Sequence, residues 1–398
     1  MTRLLRDTLE EWAGEARVPH DLADRALRRR AWKPVGALLL AAAMVVAVTF
    51  VVSGTRDQVD TVRPATEITL PARPSPAPTD VRTDPANSPP KKLVAAGRMA
   101  VSAYYTAGRK QLAKDRQQRT LTWWLYDPRT EGYEQTPYAW VDVAPGLQVA
   151  AVLEGDSIGK RVGILDMNTR QILSWIDLEQ PVGSVAWSPD GTKILATTYR
   201  SSPDIMLGKG ENVVSAGDSP RTGYYIVDAT TGEAEHHELP PLSDGRGNEK
   251  IFAVGDRQDL GWTADGALLW APTSTDPDRI FYGLDGEPRQ APEGQRYVRG
   301  RSISAVSPDG RLVLGPAGLP TKITEVGTGK VVGTQQVMQL HAWADDDNVI
   351  ALGCEGQCTN EFNAALVLVS VDGTRTTRLT GYKDSRKDGY WGWVLTPR

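Results

Sequence analysis

One phrase recurs along this chain: a short apolar strand, a tight turn, and a second apolar strand. It reads SVAWSPDGTKILATT at 184–198, DLGWTADGALLWAPT at 259–273 and SISAVSPDGRLVLGP at 302–316, with weaker copies AWVDVAPGLQVAAVL at 139–153 and LHAWADDDNVIALG at 340–353. A unit of this kind cannot bury its apolar face alone, so copies of it must pack on one another. The turn residues have separate physical roles. Pro189 presets φ at the first corner, Asp190 tolerates the bridge conformation at the second, and Gly191 supplies the positive φ where the next strand starts. Asp265-Gly266 and Pro308-Asp309-Gly310 repeat the device, and in the last copy Asn348 stands in the glycine place.

A second phrase follows each first one: an apolar strand that ends in an acidic or glycine turn. Its copies are RVGILDMNTRQ at 161–171, GYYIVDATTGE at 223–233, RIFYGLDGEPR at 279–289, KITEVGTGKVV at 322–332 and ALVLVSVDGTR at 365–375. Two hairpins make a four-stranded antiparallel sheet, and five such sheets are legible. Residues 93–136 hold part of a sixth without its opening strand, while the final GYWGWVLTPR is a strand without a sheet. Joining the two would complete the set and remove exposed sheet edges. The expected fold is therefore all-β, a six-bladed β-propeller over 93–398, at about 51 residues per blade. A β-sandwich is the competing architecture. In the closing strand, Trp391, Trp393 and Leu395 are expected on one face, Gly392, Val394 and Thr396 on the other.

The WSPDG-type strand-turn-strand, followed by a strand-D-x-x-T-G hairpin, resembles the WD40-like, TolB-type β-propeller repeat. The resemblance covers about 139–380 well, 93–138 loosely, and nothing before residue 92. The Gly-His and Trp-Asp pairs of true WD40 repeats do not recur. The resemblance implies a binding platform, an envelope assembly factor or a substrate filter for an enzyme.

Ahead of the repeats, Val35 to Val52 carries no charge over 18 residues. A helix of that length covers roughly 27 Å of a ~30 Å hydrocarbon core, so 34–54 is expected to be a single transmembrane helix. Arg28, Arg29, Arg30 and Lys33 flank it on one side, and mixed charges on the other. The positive-inside rule then places 1–33 in the cytoplasm and the remainder outside the cell membrane. A cleaved signal peptide is the alternative, disfavoured by the leader of more than 30 residues. Leu5, Leu9, Trp12 and Ala16 share a helical face in the leader, which reads as a short helical stub near lipid headgroups or as a docking peptide for a cytoplasmic partner. Single-pass regulators paired with sigma factors have a similar layout, but here His20 stands without the two cysteines of their zinc-binding type. Eight prolines between Pro64 and Pro90 mark 55–92 as an extended, disordered linker.

The net charge is -4 and charged residues are 24%, which gives no reason to expect a nucleic-acid partner. Arg outnumbers Lys 32 to 13, a bias found in GC-rich bacterial sequences. Two cysteines and four histidines exclude a disulfide scaffold, an iron–sulfur protein and a multi-His metal site, and no cofactor motif is present. No G-x-S-x-G nucleophile elbow is read in the chain. His236 and His237 are adjacent and would point to opposite faces of a strand. Asp345-Asp346-Asp347 lacks the alternate acids and distal Glu of a calcium loop. Cys354 and Cys358, four apart around Gly356, are expected to form a disulfide, with free thiols and metal binding as the alternatives. The aromatic balance of 4 Phe against 12 Trp and 12 Tyr has no explanation at this level.

No catalytic residue is therefore assigned. The long Gly-rich insertions 200–222 and 240–259 are the candidate binding surface. The expected function is non-catalytic binding or sensing of an envelope protein or glycan outside the membrane. A structural envelope assembly factor and a propeller-fold lyase or hydrolase are the alternatives.

Overall fold

The computed structural model describes residues 68–209, 212–215, 220–240, 257–272, 279–292, 305–315, 321–358, 360 and 362–398. The expected stub 1–33, the membrane segment 34–54 and the first part of the linker lie outside the described residues. Among the described residues every regular element is a strand, and no helix is long and apolar enough to cross a membrane. Neighbouring strands are antiparallel and almost always consecutive in sequence. This succession of antiparallel meanders makes the fold an all-β propeller.

The first sheet has seven strands. Its centre is the long hairpin Met99–Ala113 and Arg116–Asp127. Gly132–Gln135 pairs with the second arm, and Ile205–Lys209 with Asn212–Ser215 extends the sheet beyond it. The second sheet runs in order through Trp140–Val143, Val149–Leu153, Gly159–Asp166, Ile172–Trp187, Lys193–Tyr199, Arg221–Asp228 and Ala234–Glu238. The third holds Gly261–Trp262, Leu269–Pro272, Arg279–Tyr282 and Pro288–Arg289, and the fourth Leu312–Leu314, Thr321–Glu325 and Val331–Gln335. The fifth is built on Gln339–Trp343, Asn348–Gly353, Asn363–Ser370 and Thr376–Arg378, with Lys383–Asp384 at one end.

Six separate four-stranded blades are thus not what the chain forms. Among the described residues there are five hydrogen-bonded sheets, and four of them reach four strands or more. The physical reason is the strand Ile172–Trp187. It closes one meander through Ile176↔Val162 and opens the next through Val185↔Ala196, so two expected blades share one strand and merge into one sheet. In the fourth sheet the opening strand is represented by the single bridge Val306↔Val313.

The last strand, Trp391–Pro397, pairs with Met99–Ala113 in a register running from Thr106↔Trp391 to Met99↔Pro397. Its faces divide as alternation requires. Trp391, Trp393 and Leu395 pack with Ile350, Leu366 and Leu379 of the fifth sheet. Val394 joins the large core of the second sheet.

The linker differs from expectation. From Ile68 onward it lies on the propeller. Ile68 is buried and donates its amide to Thr230 O at 2.7 Å. Arg82 pairs with Ala95, and Asp84 bridges to Thr380. The buried Asp84 carboxylate accepts the amide of Lys91 at 2.7 Å and the side chain of Asn87 at 2.7 Å. Pro-rich composition argues against helix and ladder, but it does not prevent a few apolar and acidic anchors from docking an extended segment.

Candidate functional site: the two mouths of the channel

The recurring turns are built by side chains as well as by backbone. Ser188 donates its hydroxyl to Asp190 at 2.5 Å, and Asp190 accepts the amide of Thr192 at 3.1 Å. The Ser188 oxygen accepts the amide of Lys193 at 2.9 Å. Thr263 with Asp265, and Ser307 with Asp309, repeat the set at 2.6 Å each. Ser370 and Asp372 do the same at 2.5 Å in an outer hairpin. Gly191, Gly266 and Gly310 all have φ between 65 and 77°, the left-handed region that glycine enters without strain. The hydroxyl donors hold the Asp309 and Asp372 carboxyls down to about 2. For Asp190 and Asp265 burial pushes the other way, and the turn donors outweigh it.

Tryptophan tells a second local story. Trp140 donates its indole N–H to Val185 O at 3.1 Å, Trp262 to Ala186 O at 3.0 Å, and Trp343 to Ala305 O at 3.2 Å. Each bond ties the opening strand of a meander to the backbone beside the next or previous one. Phe fills space equally well but has no donor for those carbonyls, so at these three positions Trp does what Phe cannot.

Inner strands of several sheets enclose a cavity of about 130 Å³, lined by Trp140, Asp142, Val185, Asp259, Trp262 and Val394 among others. A wider cavity of about 760 Å³ opens beside it and shares Pro145, Pro189 and Pro397 with it. Turns from three sheets meet at this wide mouth, represented by Pro145, Pro189, Asp265 and Pro308, together with Trp343 at the end of a strand of the fifth sheet. Arg73, Arg98 and Arg398 stand on its rim. Arg73 comes from the docked segment and lies across Gly146 and Gly191, where a side chain at either glycine would collide with it. Arg398 is anchored to Asp80 at 2.9 Å.

The narrow end is closed by charge. Arg257, from the insertion 240–259, places its guanidinium 4.3 Å from the Trp140 ring. It donates to Asp204 at 2.6 Å, to Asp259 at 3.0 Å, and to Gly183 O. Burial works against its charge, but Asp259 and Asp204 outweigh that and raise its pKa. Asp204, from the insertion 200–222, also accepts from Ser157 at 2.6 Å. A buried pair of this kind fixes geometry at a large desolvation cost. Asp204 from one insertion and Arg257 from the other therefore form an internal buttress, a role the Gly-rich, charged composition of the insertions did not suggest.

Other expected features fall as follows. Cys354 and Cys358 are disulfide-bonded, with Cα atoms 5.3 Å apart. His236 lies against Tyr225 and His237 stacks on Tyr224, so the two rings face opposite ways. Asp345 caps its own turn through Asp347 N at 2.8 Å and Asn348 at 2.9 Å, and Asp346 accepts the amide of Asp309 at 3.0 Å. Among the described residues no group of three His, Cys, Asp or Glu is placed to hold a metal. The stretch Gly155-Asp156-Ser157-Ile158-Gly159 spells G-x-S-x-G, a pattern missed in the sequence. It joins two strands rather than a strand and a helix, and its serine hydroxyl is taken up by Asp204 and Ser202.

No family model matches the chain, and no curated protein sequence does. Solved structures do. TolB from Acinetobacter baumannii aligns at 16% identity and a TM-score of 0.36, over 74% of this chain. The match spans 66% of that protein, just under two thirds of its length. The β-propeller domain of Cps50 (Swd1) from Myceliophteria thermophila aligns at 13% identity and a TM-score of 0.37, over 67% of this chain and 83% of that one.

Proposed function

We propose that this protein is a single-pass membrane protein whose propeller lies outside the cytoplasm and acts as a non-catalytic binding or sensing module for an envelope protein or glycan. The observation that carries the reading is the wide mouth. Turns from three sheets and a strand end from a fourth converge there around a cavity of about 760 Å³, lined in part by arginines, and concave sites of this size are where proteins take ligands. The anchor rests on the uncharged run at 35–52 and the basic cluster before it. The docked segment shortens the stalk: thirteen residues separate Gly54 from Ile68, a reach of at most about 50 Å.

The test is site-specific photocrosslinking in the full-length protein in its own envelope. A photoreactive residue in place of Pro308 or Ala77, at the mouth, should yield a discrete adduct. The same residue in place of Glu235 or Thr231, on an outer hairpin, should not. Absence of adducts at the mouth, or identical adducts from all four positions, would overturn the reading.

A further inference from the structure

The hairpin Met99–Ala113 and Arg116–Asp127 runs well past the sheet to which it belongs. Pairing with the last strand stops at Thr106, and residues 107–116 are exposed. Free hairpins of this length are marginal in water, yet this one is held. Ile205–Lys209 pairs along it through Ile205↔Gln118 and Leu207↔Arg116. Arg119 N donates to Asp204 O at 2.8 Å, and Gly208 N to Asp115 O at 2.9 Å at the tip. Asp204 is itself locked by Arg257. The insertion 200–222 thus makes a stiff four-stranded arm out of an exposed hairpin.

The chemistry of the arm differs from that of the chain. Residues 107–119 hold Arg109, Lys110, Lys114, Arg116 and Arg119 against the single acid Asp115, within a chain of net charge -4. Register sorts them. The rows Lys110–Gln118–Ile205 and Ala113–Arg116–Leu207 are two apart and share a face. Arg109 and Arg119 occupy the other face, where Asp204 holds Arg119 at 3.3 Å. The Lys110 and Arg116 face also carries exposed Leu207, and Leu112 is 43% exposed near the tip.

We infer that this arm is a second membrane contact, its basic face meeting the phosphates of an anionic lipid surface while Leu112 and Leu207 enter the headgroup region. The inference rests on the membrane anchorage proposed above. Two features select lipid over a dissolved polyanion. Exposed leucines among the basic residues gain nothing from a soluble phosphate but are buried by a bilayer interface. The short tether also keeps the propeller within reach of the membrane.

The experiment uses the full-length protein with Leu112→Cys, labelled with a polarity-sensitive dye; the two native cysteines are bonded to each other and stay unlabelled. Vesicles of phosphatidylcholine, with and without phosphatidylglycerol, are added, and flotation and dye emission are read together. The expected result is flotation with both vesicle types and a blue shift only with phosphatidylglycerol. Lys110→Glu with Arg116→Glu should abolish the shift, as should high salt, without changing the melting temperature. A dye that stays water-like on floating phosphatidylglycerol vesicles overturns the arm and leaves the anchor intact. Failure to float with phosphatidylcholine overturns the anchor, and the shift on phosphatidylglycerol still decides the arm. The same blue shift with inorganic polyphosphate, duplex DNA or polyglutamate in place of vesicles assigns the arm to soluble polyanions and overturns the lipid contact.

Discussion

The stretches 139–238 and 261–335 use the same turn on very different amounts of core. In the first, strands run from four to sixteen residues and Val141, Ala150, Val152, Leu153, Val162 and Ile164 are fully buried. In the second, the strands among the described residues run from two to five residues, and beside the fully buried Leu269, Ala271 and Ile323 the side chains of Leu312 and Leu314 keep 7% and 6% of their surface in contact with solvent. Yet Ser188–Asp190, Thr263–Asp265 and Ser307–Asp309 are the same hydrogen-bonded turn to within 0.1 Å. Topology and stability are therefore specified by different residues. The turn decides where the chain reverses, and the apolar length of the strands decides how firmly each reversal is held.

The largest perturbation is removal of the strand that serves cores on both sides of the closure. A chain ending at residue 387 should lose cooperative unfolding or aggregate, because Met99–Ala113 is left with an open edge and both the Trp391 and Val394 contacts vanish. Trp391→Ala alone should cost about 3 kcal/mol or more. A truncated chain that stays monomeric with an unchanged melting temperature would show that closure matters less than the local cores.

Paired core truncations sharpen the comparison itself. Leu153→Ala, at a fully enclosed site, should cost about 4 kcal/mol, and Leu312→Ala, beside solvent, about 2 kcal/mol. Denaturant titration of the two variants gives the difference directly. Equal costs would mean that the shorter sheets are packed as tightly as the long ones.

The smallest effect tests the shared turn. The Asp309 carboxyl is held at about 2 in the folded protein and returns to the ordinary carboxylate value on unfolding. Its folded pKa is depressed, so the stability it contributes is present above pH ~4 and is lost as pH falls toward 2. The melting temperature should drop across that window. Asp190→Asn and Asp309→Asn should each flatten the drop by a similar amount, since the turn is the same in both stretches. A flattening confined to one of them would undo the claim that the turn acts independently of the core around it.

Much of this architecture could be read in the chain before any coordinates. Ser188-Pro189-Asp190-Gly191 and its copies name their own turn chemistry, and the alternation of Trp391, Trp393 and Leu395 names the face they share. The spacing of Cys354 and Cys358 permits their bond. What escaped reading depends on partners far apart in sequence. Ile172–Trp187 holds Asp177, Glu179, Gln180 and Pro181 in its middle, which look like a break between blades, but the strand runs on across them, paired at Asp177 and again at Val182 on either side of an irregularity. Ile68 and Leu70 are two apolar residues in a run of prolines, too few for any periodicity to reveal. Arg257 finds Asp204 across 53 residues and Trp140 across a sheet, so nothing local marks either insertion as a buttress.

The pairing of the last strand with the first long one has a consequence in time. Ser102 and Thr396, bonded at 2.6 Å, are separated by 294 residues. At ~5–20 residues per second of synthesis, the edge that ends beside Ser102 waits about 15 to 60 s for its partner. Throughout that interval it presents unpaired backbone groups to any neighbour. Chains made close together on one message would meet one another's edges before their own last strand exists. The spacing of ribosomes on that message, and how quickly each chain is carried away from the next, then decides between a closed ring and a tangle of paired chains.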